Sequence, residues 1–249
     1  MAQQSIPLIL QEDYEQGGKE YEEDIENDFA YRNNVKQASR EVRFGFIRKV
    51  YSLLAFQLIL TVIIAAVFMF TPPIKEFIHK NDWLMMIAMF SSFGLLIALH
   101  IKRKDTPTNF ILLTAFTVVL AYSLGVTITY FEKAVVLQAL GLTVLIVAVL
   151  TLFTFQTKYD LSSMHSILFA GLLILIVGGF MQIFLQSTVF EIILSLGGAF
   201  IFSIFIIVDT QMIMEKLSAE EYILATINLY LDIVNLFIYI LRLLEAMRQ

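Results

Sequence analysis

Residues 222–244 read YILATINLYLDIVNLFIYILRLL. At about 1.5 Å per residue, a helix of this length crosses the roughly 30 Å of hydrocarbon in a bilayer. Asn228, Asn235 and Tyr239 stand at −4, +3 and +7 from Asp232, so the four share one helical face, while Ile233, Val234, Phe237 and Ile238 fill the others. A carboxylate at membrane depth costs about 2.5–3.5 kcal/mol on insertion scales and therefore faces a bundle interior, a partner or a water cavity. Amides alone would be explained by hydrogen bonding between helices, typically worth well under 2 kcal/mol per contact. An aspartate inside the stripe points instead to an ion or proton role.

Working outward from this segment, the chain repeats the pattern of long apolar runs. Spans are expected at about Val50–Phe70, Trp83–Ile101, Phe110–Tyr130, Ala134–Phe155, Met164–Leu185, Val189–Ile213 and Tyr222–Leu244. Short polar interruptions separate them, among them Pro72-Pro73, Lys102 to Asp105, Glu132-Lys133 and Gln186-Ser187. The composition agrees: 58% of the 249 residues are hydrophobic, 16% are charged, and the mean hydropathy is +0.77. A soluble domain runs near 45–50% apolar and 25% charged. The expected fold is therefore an all-α integral membrane protein with seven helices, and no separate soluble catalytic domain fits. In the sixth span Asp209 interrupts an apolar run after Phe205-Ile206-Ile207-Val208, which makes it the second buried-carboxylate candidate. Helices one to five are almost free of ionisable groups. Gly171, Gly178-Gly179 and Gly197-Gly198 are the places where small residues allow helices to approach closely.

Residues 1–49 form a separate region, with the transmembrane domain expected over 50–249. The head holds 10 of the 22 acids, nine of them between Glu12 and Asp28, a composition that favours disorder. From Arg32 to Lys49 the sign reverses into a basic collar of Arg32, Lys36, Arg40, Arg43, Arg48 and Lys49. Placing the amino terminus in the cytoplasm gives that side the collar together with Lys102, Arg103, Lys104, Lys158 and Lys216, against Lys75, Lys80 and Lys133 opposite. No cleavable signal peptide is recognisable, so the first span is expected to act as its own targeting signal. Arg242 and Arg248 would lie on the far side if the last helix crosses completely. A net charge of −5 is no nucleic-acid footprint, and the absence of cysteine removes disulfides, thiolate metal sites and a cysteine nucleophile.

Several stretches together are similar to the transmembrane Bax-inhibitor-motif family. They are Tyr222, Ala225 to Asn228, Leu229 to Phe237 and Leu241-Arg242, supported by Ile25 to Tyr31, Phe46 to Tyr51, Phe205 to Gln211 and Lys216 to Tyr222. The resemblance covers residues 25–249 and is strongest to the family's Golgi lifeguard branch. It implies a central last helix wrapped by six others, a calcium leak across Golgi and related membranes, and suppression of apoptosis through lowered stored calcium. By motif position Asp209 and Asp232 resemble the family's paired aspartates, which bind or pass calcium and respond to protonation. Glu220 resembles an acidic residue before the last helix that influences conduction. In bacterial relatives an arginine at the end of the second helix latches one aspartate. Lys102 stands nearest that position and Arg103 next to it. A lysine there departs from the pattern, since it cannot form arginine's bidentate fork, and the plain alternative is cytoplasmic-side positive charge.

The leading expectation is thus a calcium-permeable, pH-sensitive leak channel and not an enzyme. It needs no cofactor beyond calcium as a permeant ion weakly bound at Asp209 and Asp232, since a conducting site must release its ion. Protons and the lipid bilayer are its other partners, with a homo-oligomer or death-regulator proteins as further candidates. A proton-coupled exchanger would use the same carboxylates. A pore-less scaffold would use Asp232 only as packing glue. An intramembrane hydrolase is disfavoured because His79, His100 and His165 sit at separate span ends without metal-ligand spacing.

Overall fold

The computed structural model describes residues 40–157, 159, 161, 164–218 and 220–248. Among these described residues are eight helices: α1 (Arg40–Phe70), α2 (Pro72–Lys80), α3 (Trp83–Lys102), α4 (Thr108–Ile128), α5 (Lys133–Gln156), α6 (His165–Leu185), α7 (Thr188–Glu215) and α8 (Tyr222–Ala246). All except the short α2 are long and apolar enough to cross a membrane. The expected seven spans are all present, with boundaries moved by a few residues except at the first. There α1 begins at Arg40, well before Val50, because an apolar stripe continues upstream. Phe46, Val50 and Leu54 are buried, and Gln57 and Thr61 extend the same face. Part of the basic collar is thus helical and continuous with the first span. The acidic head, Lys158 and Asp160 lie outside the described residues.

Local chemistry ends the helices where the polar interruptions stand. Thr71 precedes two prolines and is extended (φ −107°, ψ 98°), so α1 stops there and α2 starts with proline in its first turn. Between α6 and α7, Gln186 takes a left-handed conformation (φ 46°) and Ser187 caps α7 by accepting from the Phe190 N–H at 3.4 Å.

The last helix is central. Two thirds of its most apolar window (67%) is buried inside the protein, against 17–44% for the other six spans. The wrapping is uneven: α7, α5 and α1 pack directly on α8, whereas α3 packs chiefly on α4 and α6 on α7. Lipid tails are as apolar as leucine, so packing and polar ties must hold such helices together. Two of these ties join three helices. Gln57 of α1 donates to Thr117 of α4 at 2.8 Å, and Thr61 of α1 shares a 2.8 Å hydrogen bond with Tyr230 of α8, whose side chain is fully buried.

The glycines sort by location. A Cβ at Gly198 of α7 would fall into the Tyr239 ring, and one at Gly178 or Gly171 would meet the flexible tips of Leu194 or Ile201. At Gly179 and Gly197 the space is open, so close approach uses one member of each pair.

Candidate functional site: a carboxyl pair between α7 and α8

Antiparallel packing of α7 on α8 brings Asp209 and Asp232 side by side, 9% and 7% exposed. On α7 the aspartate continues the buried face of Phe202, Ile206, Thr210 and Ile213. On α8 it sits amid Ile233, Val234 and Leu236. The two carboxyl groups are close enough to interact directly across the α7–α8 seam. The second oxygen of Asp232, Oδ2, is buried with no donor among the described residues.

Three neighbours define the surroundings. His165, the first residue of α6, is exposed and interacts electrostatically with Asp209. Gln211 holds Tyr159 and Leu161, donating to the Tyr159 carbonyl at 2.6 Å and accepting from the Leu161 N–H at 2.9 Å. Asn228, one turn before Asp232, is the exposed position of α8. It opens the helix to its surroundings about 6 Å along the axis from the carboxylate.

The remaining members of the predicted stripe go to other tasks. Asn235 donates to the Leu231 carbonyl of its own helix at 2.8 Å. Tyr239 stacks on Phe202 with ring centroids 5.7 Å apart and lies in the notch left by Gly198. Beyond it, Arg242 grips Glu191 of α7 through two hydrogen bonds of 2.6 and 2.9 Å. The α7–α8 seam therefore has three levels: the carboxyl pair, an aromatic block, and a bidentate ion pair.

The basic cluster after α3 makes other contacts at the carboxyl-pair end. Lys102 pairs with Asp105 at 2.8 Å, and Arg103 reaches Glu221 at 3.5 Å and His100 at 3.3 Å. Lys104 pairs with Glu220 at 2.9 Å, so Glu220 is tied to the 102–107 turn. Next to it the Lys49 ammonium stands 3.3 Å from the centre of the Tyr222 ring, and Tyr222 accepts from Asn109 at 3.0 Å. The three histidines stay apart, and among the described residues no group of three or more His, Cys, Asp or Glu side chains could hold a metal ion.

Sequence reading missed Gln211 and Glu191 as site residues. Gln211 was visible as the polar residue two places after Asp209. Glu191 was visible as an acid in the first turn of α7, but its bond to Arg242 joins residues 51 apart and has no local signal.

The chain is 43% identical over 222 residues to the Golgi anti-apoptotic protein of Vaccinia virus (strain Lister), covering 89% of this chain and 94% of the viral one. It is 40% identical to Protein lifeguard 4 of Mus musculus, covering 90% and 94% of the two chains. It is 33% identical to Bax inhibitor 1 of Schizosaccharomyces pombe, covering 86% and 81%. Residues 43–249 match the Bax1-I family model, described as inhibitor of apoptosis-promoting Bax1. On this shared length, which includes both aspartates and the helices that bury them, the chain belongs to the Bax1-I family of multi-pass membrane proteins.

Proposed function

We propose that this protein is a calcium-permeable, pH-sensitive leak of intracellular membranes that lowers stored calcium and thereby suppresses apoptosis. The observation that supports it best is the carboxyl pair Asp209–Asp232, buried between α7 and α8 and one turn from the exposed Asn228. Carboxylate oxygens suit a hard cation, with backbone carbonyls and water completing about six to eight ligands. Two carboxylates without a full cage bind weakly, as conduction requires. A proton and calcium compete for the same oxygens, so acidification lowers calcium binding at the pair. Tyr239, stacked on Phe202 against Gly198, closes the seam beyond the pair. Arg103 and Lys102 are the basic groups that would latch the pair if the turn after α3 moved inward.

The names of the relatives favour the Golgi membrane and an anti-apoptotic role. The charge balance favours a cytoplasmic amino terminus and a cytoplasmic carboxyl-pair end. The deciding experiment is calcium flux into liposomes carrying purified protein and an internal calcium dye, across about pH 5 to 8. Asp232→Asn is near-isosteric; it should leave the fold intact and change the flux, and the Asp209→Asn, Asp232→Asn double variant should flatten the pH profile. Unchanged flux at equal reconstituted protein removes the pair from the pathway. Flux that needs an opposing proton gradient would instead identify an exchanger.

A further inference from the structure

Helices α1 and α5 both lie against α8 but barely touch each other. Between them runs an apolar cleft of about 440 Å³. Ile233, Val234 and Phe237 of α8 form its floor, and the small side chains Ala65, Ala66 and Ala148 hollow its walls. Its rims face outward, with Val62, Leu137 and Val144 44%, 57% and 61% exposed. From Leu58 to Phe70 the α1 wall rises about 18 Å, close to half the roughly 30 Å hydrocarbon thickness. The cleft therefore spans one leaflet, from mid-membrane to the interface.

The mouth of the cleft is marked chemically. Phe70 ends α1 there and Lys133 begins α5, with the lysine ammonium 4.9 Å from the Phe70 ring centre. Lys133 has no carboxylate partner among the described residues, since the adjacent Glu132 is taken by Arg248 at 2.7 Å. Trp83 and Tyr130, 60% and 59% exposed at the same end, are the amphipathic residues that favour headgroup depth. An apolar trough one leaflet long, crowned by an uncompensated ammonium at headgroup level, is complementary to a lipid with one negative charge to spare.

We propose that the α1–α5 cleft binds one acyl chain of an anionic glycerophospholipid, with the lipid phosphate held by Lys133. The bound chain lies against the turn of α8 that follows Asp232, so the lipid contacts the helix that carries the carboxyl pair. Binding itself is independent of whether that pair conducts calcium.

The full-length protein, reconstituted in vesicles of equal parts phosphatidylcholine and phosphatidylglycerol and then extracted in mild detergent, provides the test by native mass spectrometry. One phosphatidylglycerol per chain should remain bound in preference to phosphatidylcholine. Lys133→Gln, a change at an exposed position, should lower that preference about fivefold. Ala66→Phe, which fills the trough, should abolish retention of both lipids while the helical circular dichroism spectrum persists. The proposal is overturned if wild type retains no lipid, if Lys133→Gln leaves the ratio unchanged, or if folded Ala66→Phe keeps its lipid. A dimer mass that disappears in Ala66→Phe would overturn it too, by assigning the cleft to a second copy. Should Ala66→Phe fail to fold, the lipid ratio of Lys133→Gln decides alone.

Discussion

Helices α6 and α8 are alike in length, and α6 is the more apolar of the two, yet they occupy opposite environments. In α6 only Leu168, Leu175 and Gly178 are buried, while Ile174, Phe180 and Phe184 stand 64–84% exposed. In α8 fifteen residues are buried, Asp232 among them. In water the more apolar helix would take the core. In a bilayer, hydrophobicity confers no preference between protein interior and lipid, so the position that can satisfy polar groups is the buried one. Polarity, not apolarity, marks the centre of this protein.

This contrast can be broken most severely at the α7–α8 seam. Gly198→Leu would drive a branched side chain into the rigid Tyr239 ring and should cost about 3 kcal/mol or more, visible as loss of monodisperse protein in detergent. The same change at Gly179 of α6, where space is open, should leave the melting temperature near wild type. Next in size is Leu236→Ala in the core of α8, where the emptied volume should cost about 2–3 kcal/mol in a reversible unfolding titration. Arg242→Met should cost about 1–2 kcal/mol, because it leaves the largely buried Glu191 carboxylate without its fork. Adding Glu191→Gln should recover part of that loss, and equal loss in the double variant would show that the pair is not coupled. The smallest effect belongs to the lipid-facing side. Phe184→Ala on α6, at a position 84% exposed, should shift stability by no more than about 0.5 kcal/mol. A larger loss there would mean that α6 has a protein neighbour in the membrane.

Much of this is legible in the amino-acid sequence. Seven apolar runs separated by prolines and charges gave the helices, since only hydrogen-bonded helices of that length suit a bilayer. Asp209 and Asp232 stood out because each is a lone carboxylate in an aliphatic context. The start of α1 was less legible: basic residues read as a collar, while the buried stripe Phe46, Val50 and Leu54 shows its spacing only once the packing face is known. The stripe on α8 was legible as a face, yet its members separate by task. Asp232 meets Asp209, Asn235 bonds its own backbone, and Tyr239 fills the Gly198 notch.

The sequence by itself determined how many long apolar helices form, where most of them end and which carboxylates are out of place in lipid. These depend on hydropathy, proline and charge, which act within a few residues of where they stand. Tertiary structure alone decided that Asp209 meets Asp232, that Arg103 reaches Glu221, that Arg242 finds Glu191, and that α1 and α5 leave a cleft between them. Those contacts join residues far apart in the chain. In a medium that attracts every apolar face equally, partner choice falls to shape and hydrogen bonding, which no single helix carries in its own sequence.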